Sequence, residues 1–458
     1  MAEVQRHTDR LAATIRRLVR RGATRNLSRL LGKVRPEDVA AAMDGLTPEE
    51  QQRVFAVALR DYQDVAGEVL VGMEPAARQA LVEQLAPQEI VRVIDPLAVD
   101  DAAEVVESLS DELREGVLEL VSGADQEELQ THLDYREDTA GRLMTTEFFA
   151  LPETTSVGEA IGRIQEVGDF EMIFYLYVTN EQGQLAGVTS LRQLLLSAPS
   201  TMLEEIMNRS VIQVRTDTDQ EEVARLVSHY DLLAVPVTDE AERLVGIVTV
   251  DDVVDVVQEE AEEDILKMVG TTEDELIHRE RSWRVTRIRL PWILINLAGQ
   301  GVTALLYKRF ELTLGQALFL VFFAPLIMGM GGNVGSQTST IAVRSIATGR
   351  LTSGQGRGRA FLAQQMRVGA LLGLLCAPIA AVGAYLLEGN ATFAVLVGLA
   401  LFLAITLASL NGSLVPLVFE RFGVDPAVAS GPMVSTLSDI IGLTVYFGMA
   451  AAAIQWLA

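Results

Sequence analysis

From Leu290 onward the chain is almost without charge. Residues 290–307, 312–343, 368–387 and 389–419 contain no ionisable side chain of the Asp, Glu, Lys or Arg type, and residues 426–458 contain only Asp439. A helix needs roughly 20 apolar residues to cross a bilayer, so five membrane-spanning helices are expected and a fully soluble protein is excluded. Arg279, Arg281, Arg284, Arg287 and Arg289 precede the first span, and Arg344, Arg350, Arg357, Arg359 and Arg367 lie between the second and third. Positive residues flank the cytoplasmic side, which places both clusters inside. Residues 308–311 and 388 then face outward, 420–425 inward, and the C-terminus is extracytoplasmic.

The formal net charge of −25 is unevenly spread. Of 62 acidic and 37 basic residues, five and eight follow Arg289, leaving +3 on the last part and −28 on the first 289 residues. Such acidity argues against nucleic acid as a partner and suits attraction of cations. One cysteine, Cys376, excludes an intramolecular disulfide and a Cys-based zinc site. Four scattered histidines argue against a multi-His transition-metal site. The first 21 residues mix charged and apolar types without the apolar core of a secretion signal, so the N-terminal half is expected in the cytoplasm.

Residues 36–119 read as short helices punctuated at Pro48, Pro75, Pro87 and Pro96, with Thr47-Pro48-Glu49-Glu50 as a capping box. Between residues 139 and 257 the pattern changes to strand, turn, strand and helix, occurring twice about 59 residues apart. The first copy runs through Tyr175 to Ser190 and the second through Leu233 to Thr249. This arrangement resembles a tandem pair of CBS domains, regulatory modules that often bind adenine nucleotides. Their ribose feature, Ser or Thr with Asp three residues on, is kept at Thr249 and Asp252. The first copy has Ser190 with Gln193 instead, a departure that bears on ATP binding; Tyr175, Ser190 and Arg192 are its candidate nucleotide contacts.

Residues 251–264 hold eight carboxylates and no basic residue. Val250, Val254, Val257, Ala261 and Ile265 make an apolar stripe at helical spacing, so an amphipathic helix with an acidic face is expected. Like charges one turn apart cost about 0.2–0.5 kcal/mol per pair; the helix is either a solvated charged face or a sensor for a hard divalent cation. Inside the apolar part, Gly329-Met330-Gly331-Gly332-Asn333-Val334-Gly335-Ser336-Gln337 and the run from Asp425-Pro426-Ala427 through Ser430-Gly431-Pro432 to Ser435, Thr436 and Asp439 do not read as ordinary lipid-facing helix: they point to irregular backbone at membrane depth, or, for the glycines, equally to close helix packing. An intramembrane carboxylate such as Asp439 points to function.

With Pro325-Leu326-Ile327-Met328 leading into the first of these runs, the chain resembles the MgtE-type magnesium transporters over essentially its whole length. The resemblance implies a multi-domain membrane protein: a cytoplasmic α-helical superhelix (1–137), α/β CBS domains (138–200 and 201–257), an acidic connecting "plug" helix with linker (258–285), and an all-α pore domain of five helices (286–458). It implies a homodimer in the cell membrane with Mg²⁺ as both substrate and regulator. Asp439 would hold hydrated Mg²⁺, with Asn333, Gly431, Ser435 and Thr436 lining the pore. Asp231, Asp252, Asp255, Glu260, Glu263 and Asp264 would bind sensory Mg²⁺, with Glu221, Asp100 and Asp101 as further candidates. No phosphate-cradling motif or catalytic constellation is evident, so an enzyme is not expected. The alternatives are a less selective Mn²⁺ or Co²⁺ transporter, a CBS-bearing chloride channel and a membrane-anchored adenylate sensor.

Overall fold

The computed structural model describes residues 2–166, 174–272, 275, 282–316, 318–351, 357–429 and 431–457. It divides into two compact units, Met1–Gln258 and Glu259–Ala458. The first begins with helices α1 (Ala2–Arg20), α2 (Thr24–Leu31), α3 (Pro36–Met43), α4 (Pro48–Asp61), α5 (Gln63–Val71), α6 (Pro75–Val82), α7 (Pro87–Ile94), α8 (Val99–Glu107), α9 (Asp111–Leu118) and α10 (Gly123–Leu133). Proline opens α3, α4, α6 and α7, a position whose N–H has no partner within the helix. The Thr47 capping box is formed, with both reciprocal hydrogen bonds at 3.4 Å. Glu50 also pairs with Arg16 and Arg20, which ties α1 to the head of α4. Ile15, Leu31, Met43, Leu70, Ile90 and Val106 lie in the shared core.

Next come α11 (Ala140–Leu143), β1 (Ala150–Pro152), α12 (Val157–Glu166), β2 (Tyr175–Thr179), β3 (Leu185–Ser190), α13 (Leu191–Leu196), α14 (Leu203–Ile206), β4 (Val214–Arg215), α15 (Gln220–Tyr230), β5 (Ala234–Thr238), β6 (Leu244–Thr249) and α16 (Val250–Val269). Two three-stranded sheets result, in orders β1-β2-β3 and β4-β5-β6, the first pair of each parallel and the second antiparallel. The two hairpins and following helices match the repeat read from sequence; β1 and β4 were not foreseen, being too short to show alternation. The repeats also exchange their opening segments. Ala140 and Met144 pack into the core of the second sheet, while Leu203 and Met207 pack into that of the first. Glycines make room: a Cβ on Gly187 would stand 2.6 Å from Met207 Sδ, and one on Gly246 2.6 Å from Met144 Sδ.

The expected apolar stripe of α16 is corrected in part. Val253 and Val256 are the buried residues, whereas Val254, Val257 and Ile265 are exposed by 52–61%. The CBS core takes the neighbouring face, because β6 delivers α16 with Val253 turned inward.

The second unit contains α17 (Ser282–Arg309), α18 (Glu311–Gln316), α19 (Leu320–Ala347), α20 (Arg357–Glu388), α21 (Ala391–Arg421) and α22 (Pro432–Leu457). Four of these, α17, α20, α21 and α22, are long and apolar enough to cross a membrane. The expected second span over 312–343 differs: a short α18 precedes α19, which is long but carries Asn333, Ser336, Gln337, Thr338, Ser339 and Thr340. The glycine run does not break α19 either. Gly335 serves close helix packing, since a Cβ there would stand 2.6 Å from Ser438 Oγ and a Cβ on Gly412 would fall on its carbonyl. Irregular backbone does occur before α22, where Ala427–Ala429 form a 3₁₀ turn. Ile327, Val397, Ile405, Leu443, Tyr446 and Phe447 form the core of this unit.

Candidate metal centres

The first centre arises where the head of α16 meets α8. Asp100 and Asp101 occupy the first turn of α8, where the positive end of the helix favours anions. They face Asp251 and Asp252, the same first-turn acids of α16. Burial, then Asp252 and Asp101, push the Asp100 carboxyl up to about 8, and its Oδ1 is buried without a hydrogen-bond partner. Burial followed by Glu104, Asp252 and Asp251 raises Asp101 to about 6. Asp252 is also raised to about 6, by burial and by Asp251 and Asp255 against the hydrogen bond from Thr249. Asp255 is raised by burial, Asp251 and Glu104. Arg78 offsets part of this charge and pairs with Glu104 at 2.6 Å.

These are hard oxygen donors lacking enough counter-charge, the donor set that Mg²⁺ prefers. Among the described residues no three of them converge closely enough to chelate a bare ion. That spacing fits an ion held through retained water, the habit of Mg²⁺.

The second centre is at the far end of α16. Burial raises the Asp264 carboxyl to about 6, with Asp425, Glu260 and Glu263 adding to the effect and Lys267 opposing it. Lys267 Nζ lies 2.6 Å from Glu263 and 2.7 Å from Asp425. Burial works against its charge, but these two hydrogen bonds outweigh it and raise its pKa. Asp425 was read from the sequence only as part of a motif; nothing local signals that a residue 161 positions after Asp264 would stand beside it. Close packing continues there, since a Cβ on Gly431 would fall on the Met268 carbonyl oxygen.

The third centre surrounds Asp439 on α22. Ser435 Oγ lies 2.9 Å from Ser336 Oγ of α19, Thr436 is bonded to Asn296 of α17, and a Cβ on Gly332 would stand 3.5 Å from Asp439 Oδ1. Asn333 sits on α19 beside Gly332, exposed, with Gln337 one turn on. Asn296, which accepts the Thr436 bond, comes from α17 and was missed in the sequence, where an isolated amide carries no motif.

The remaining candidates are dispersed. Asp231 caps α15 in the left-handed conformation, exposed, and among the described residues no interaction joins it to either acidic centre. Glu221 lies in the first turn of α15, its N–H donating to Asp219. Tyr175 and Ser190 are register partners on β2 and β3, with Arg192 exposed beyond them; Ser190 Oγ accepts from the Gln193 N–H. In the second repeat, Thr249 Oγ1 donates to Asp252 at 2.5 Å, so the ribose-type carboxylate also belongs to the acidic face.

Comparison with known proteins then decides the family. The magnesium transporter MgtE of Thermus thermophilus is 36% identical over 450 residues, covering 96% of this chain and 98% of that relative. The chain belongs to the MgtE family of magnesium transporters. The namesake of Bacillus subtilis is 32% identical, with 98% of both chains covered. Family models match in the expected order: the MgtE intracellular N domain over 34–138, CBS domains over 140–199 and 203–259, and the divalent cation transporter model MgtE over 324–449. A crystal structure of the cytosolic domain of the Mg²⁺ channel MgtE in complex with ATP is 38% identical, with a TM-score of 0.51 over 54% of this chain and 99% of that one.

Proposed function

We propose that this protein carries Mg²⁺ across the cell membrane down its electrochemical gradient, as a homodimer with a cytoplasmic N-terminus and an extracytoplasmic C-terminus, and that intracellular Mg²⁺ closes it. The observation that carries the transport reading is Asp439: a half-buried carboxylate on a helix with no other charged residue, opposed by the small and polar face of α19. A carboxylate in such surroundings is costly unless a cation or water-filled path is present. Ser435, Thr436 and Asn333 add oxygen donors and Gly332 space around it, suited to an ion keeping much of its water, while Gly431 packs against the Met268 carbonyl instead. Moving a divalent ion inward across 100 mV releases about 4.6 kcal/mol, so no coupled reaction is required.

For gating, α16 carries acid at both ends. Without Mg²⁺, Asp101 repels Asp251, Asp252 and Asp255 while Asp100, pushed up to about 8, holds its proton near neutral pH; bound Mg²⁺ takes the place of that proton, neutralises these groups and favours the closed arrangement. Glu260, Glu263 and Asp264 repeat the arrangement towards Asp425. The exposed stripe Val254, Val257 and Ile265 supports a second copy of α16 as its neighbour. The related cytosolic domain in complex with ATP supports ATP at the CBS repeats as a modulator, with Gln193 in place of the usual Asp as the departure that calorimetry tests.

The deciding experiment is Mg²⁺ influx into vesicles holding the full-length protein. Asp439→Ala is expected to abolish influx while the protein keeps its unfolding temperature. Wild-type flux in that variant would refute the pore assignment.

A further inference from the structure

The first 35 residues reverse the charge of the part they belong to. They hold ten basic and two acidic residues, +8, so the −28 of the first 289 residues leaves −36 on residues 36–289. Arg6, Arg10 and Arg17 of α1 and Arg21 at its end follow one another at intervals of four, seven and four, which puts them on one helical face. That face lies opposite Leu11, Ala12, Ile15 and Val19, which enter the domain core. On α2, Arg25 and Arg29 are exposed opposite buried Leu27 and Leu31. Glu50 pairs with Arg16 and Arg20, whereas among the described residues no ion pair engages these six exposed arginines. Local stability does not account for the arrangement. Arg6 with Arg10, Arg17 with Arg21 and Arg25 with Arg29 are like charges one turn apart, which destabilise a helix. Arg25 also lies in the first turn of α2, where the helix dipole disfavours a cation.

We propose that this arginine surface docks the helical domain on anionic phospholipid headgroups of the cytoplasmic leaflet, an inference that uses the cytoplasmic placement of the N-terminus given above. Guanidinium groups match phosphate oxygens two bonds at a time, and an anionic leaflet attracts each basic residue near it. No recruitment from solution is needed, because α17, α20, α21 and α22 are long and apolar enough to anchor the same chain in the bilayer. A contact too weak to bring in a free domain still forms in a tethered one. The surface lacks the apolar, charge-depleted centre of a protein–protein contact. Ala13, Thr14, Thr24 and Asn26 are the exposed residues among the arginines, and no large apolar side chain of residues 6–35 is exposed. Since the apolar face of α1 already packs into the domain core, the attachment is electrostatic and reversible, unlike that of an inserted amphipathic helix.

The test is hydrogen exchange of the full-length protein in lipid nanodiscs, in Mg²⁺-free buffer, with phosphatidylcholine alone or with phosphatidylglycerol added. Amides of α1 and α2 are expected to exchange about tenfold more slowly in the anionic discs, a factor that two basic residues near an anionic leaflet already supply. High salt should abolish the difference. The combined variant Arg10→Gln, Arg17→Gln and Arg25→Gln should lose most of it while exchanging as before in phosphatidylcholine. Equal exchange in the two lipids, or a difference that survives high salt, overturns the proposal. So does slowing that follows protein concentration rather than headgroup charge, which would assign the surface to a second copy of the chain. Should the combined variant not fold, the salt dependence of the wild-type difference decides. Both leaflets of a disc carry the same lipid, so docking is read whichever way the chain is inserted. Reagent access to residues 308–311 in sealed vesicles tests the topology separately.

Discussion

Asp100→Asn isolates the electrostatic strain assigned to the α8–α16 face. In the folded protein the Asp100 carboxyl is pushed up to about 8, whereas an unfolded Asp titrates near 3.9. A raised carboxyl stabilises the fold below the unfolded value, and that stability is lost as pH rises from there through about 8. At pH 7 the loss has a ceiling of about 4 kcal/mol from linkage, and about 2 kcal/mol is a reasonable expectation once the site relaxes and admits water. Asparagine keeps the size and stays neutral, so it recovers this stability. In Mg²⁺-free buffer, amide exchange in α8 and the head of α16 is then expected to slow by about 30-fold, the factor that 2 kcal/mol represents. Mg²⁺ should protect the same amides in the wild-type chain and add little in the variant, which has lost one ligand charge. Hydrogen exchange of the full-length protein in micelles, with and without millimolar Mg²⁺, reads both effects. Faster exchange in Mg²⁺-free Asp100→Asn, or undiminished protection by Mg²⁺, would refute the reasoning.

Lys267→Met leaves Glu263, Asp264 and Asp425 without their ammonium partner. Because the pairs are only partly buried, about 1–2 kcal/mol should be lost, seen as roughly 5–30-fold faster exchange across residues 259–272 and a higher Mg²⁺ concentration needed to stop flux. At the CBS repeats, Gly246→Ala should cost more than Gly187→Ala, within the about 1–3 kcal/mol typical of overpacking: Gly246 meets the Thr145 carbonyl at 2.8 Å as well as Met144, while Gly187 meets only the flexible Met207 side chain. Chemical unfolding ranks the two. His132 Nε2 lies 2.7 Å from the Arg142 carbonyl oxygen, and burial outweighs that hydrogen bond and, with the Arg142 charge adding, lowers its pKa to about 4. Stability should therefore be complete above pH 6.5 and fall by about 2 kcal/mol on reaching pH 5; His132→Gln should flatten that pH dependence.

The sequence showed the architecture wherever neighbours along the chain decide it. Prolines and the Thr47 capping box started helices as expected, since a cap depends on three or four consecutive residues. The CBS hairpins were legible because each strand of the pair carries its own apolar pattern. The exchange of opening segments between the repeats was not, because Met144 resembles any apolar residue until it meets Gly246. On α16 the stripe counted in sequence is the exposed one; helical periodicity identifies faces but does not say which face the core takes.

The functional residues divide in the same way. Asp439 stood out unaided, as does any carboxylate in an uncharged run, and the acidity of residues 251–264 announced a cation. Asp251, Glu104 and Asp425 completed the acidic centres only after α8, α16 and the turn before α22 were placed. Asn296 acquired meaning only when Gly299 let α17 lie against α22. Composition and spacing determined that this chain crosses a membrane, concentrates acid before it and carries a lone carboxylate within it, because desolvation and charge act residue by residue. Which carboxylates face one another, and which hydroxyls and amides surround Asp439, depends on distances between segments remote in sequence, and folding alone sets those.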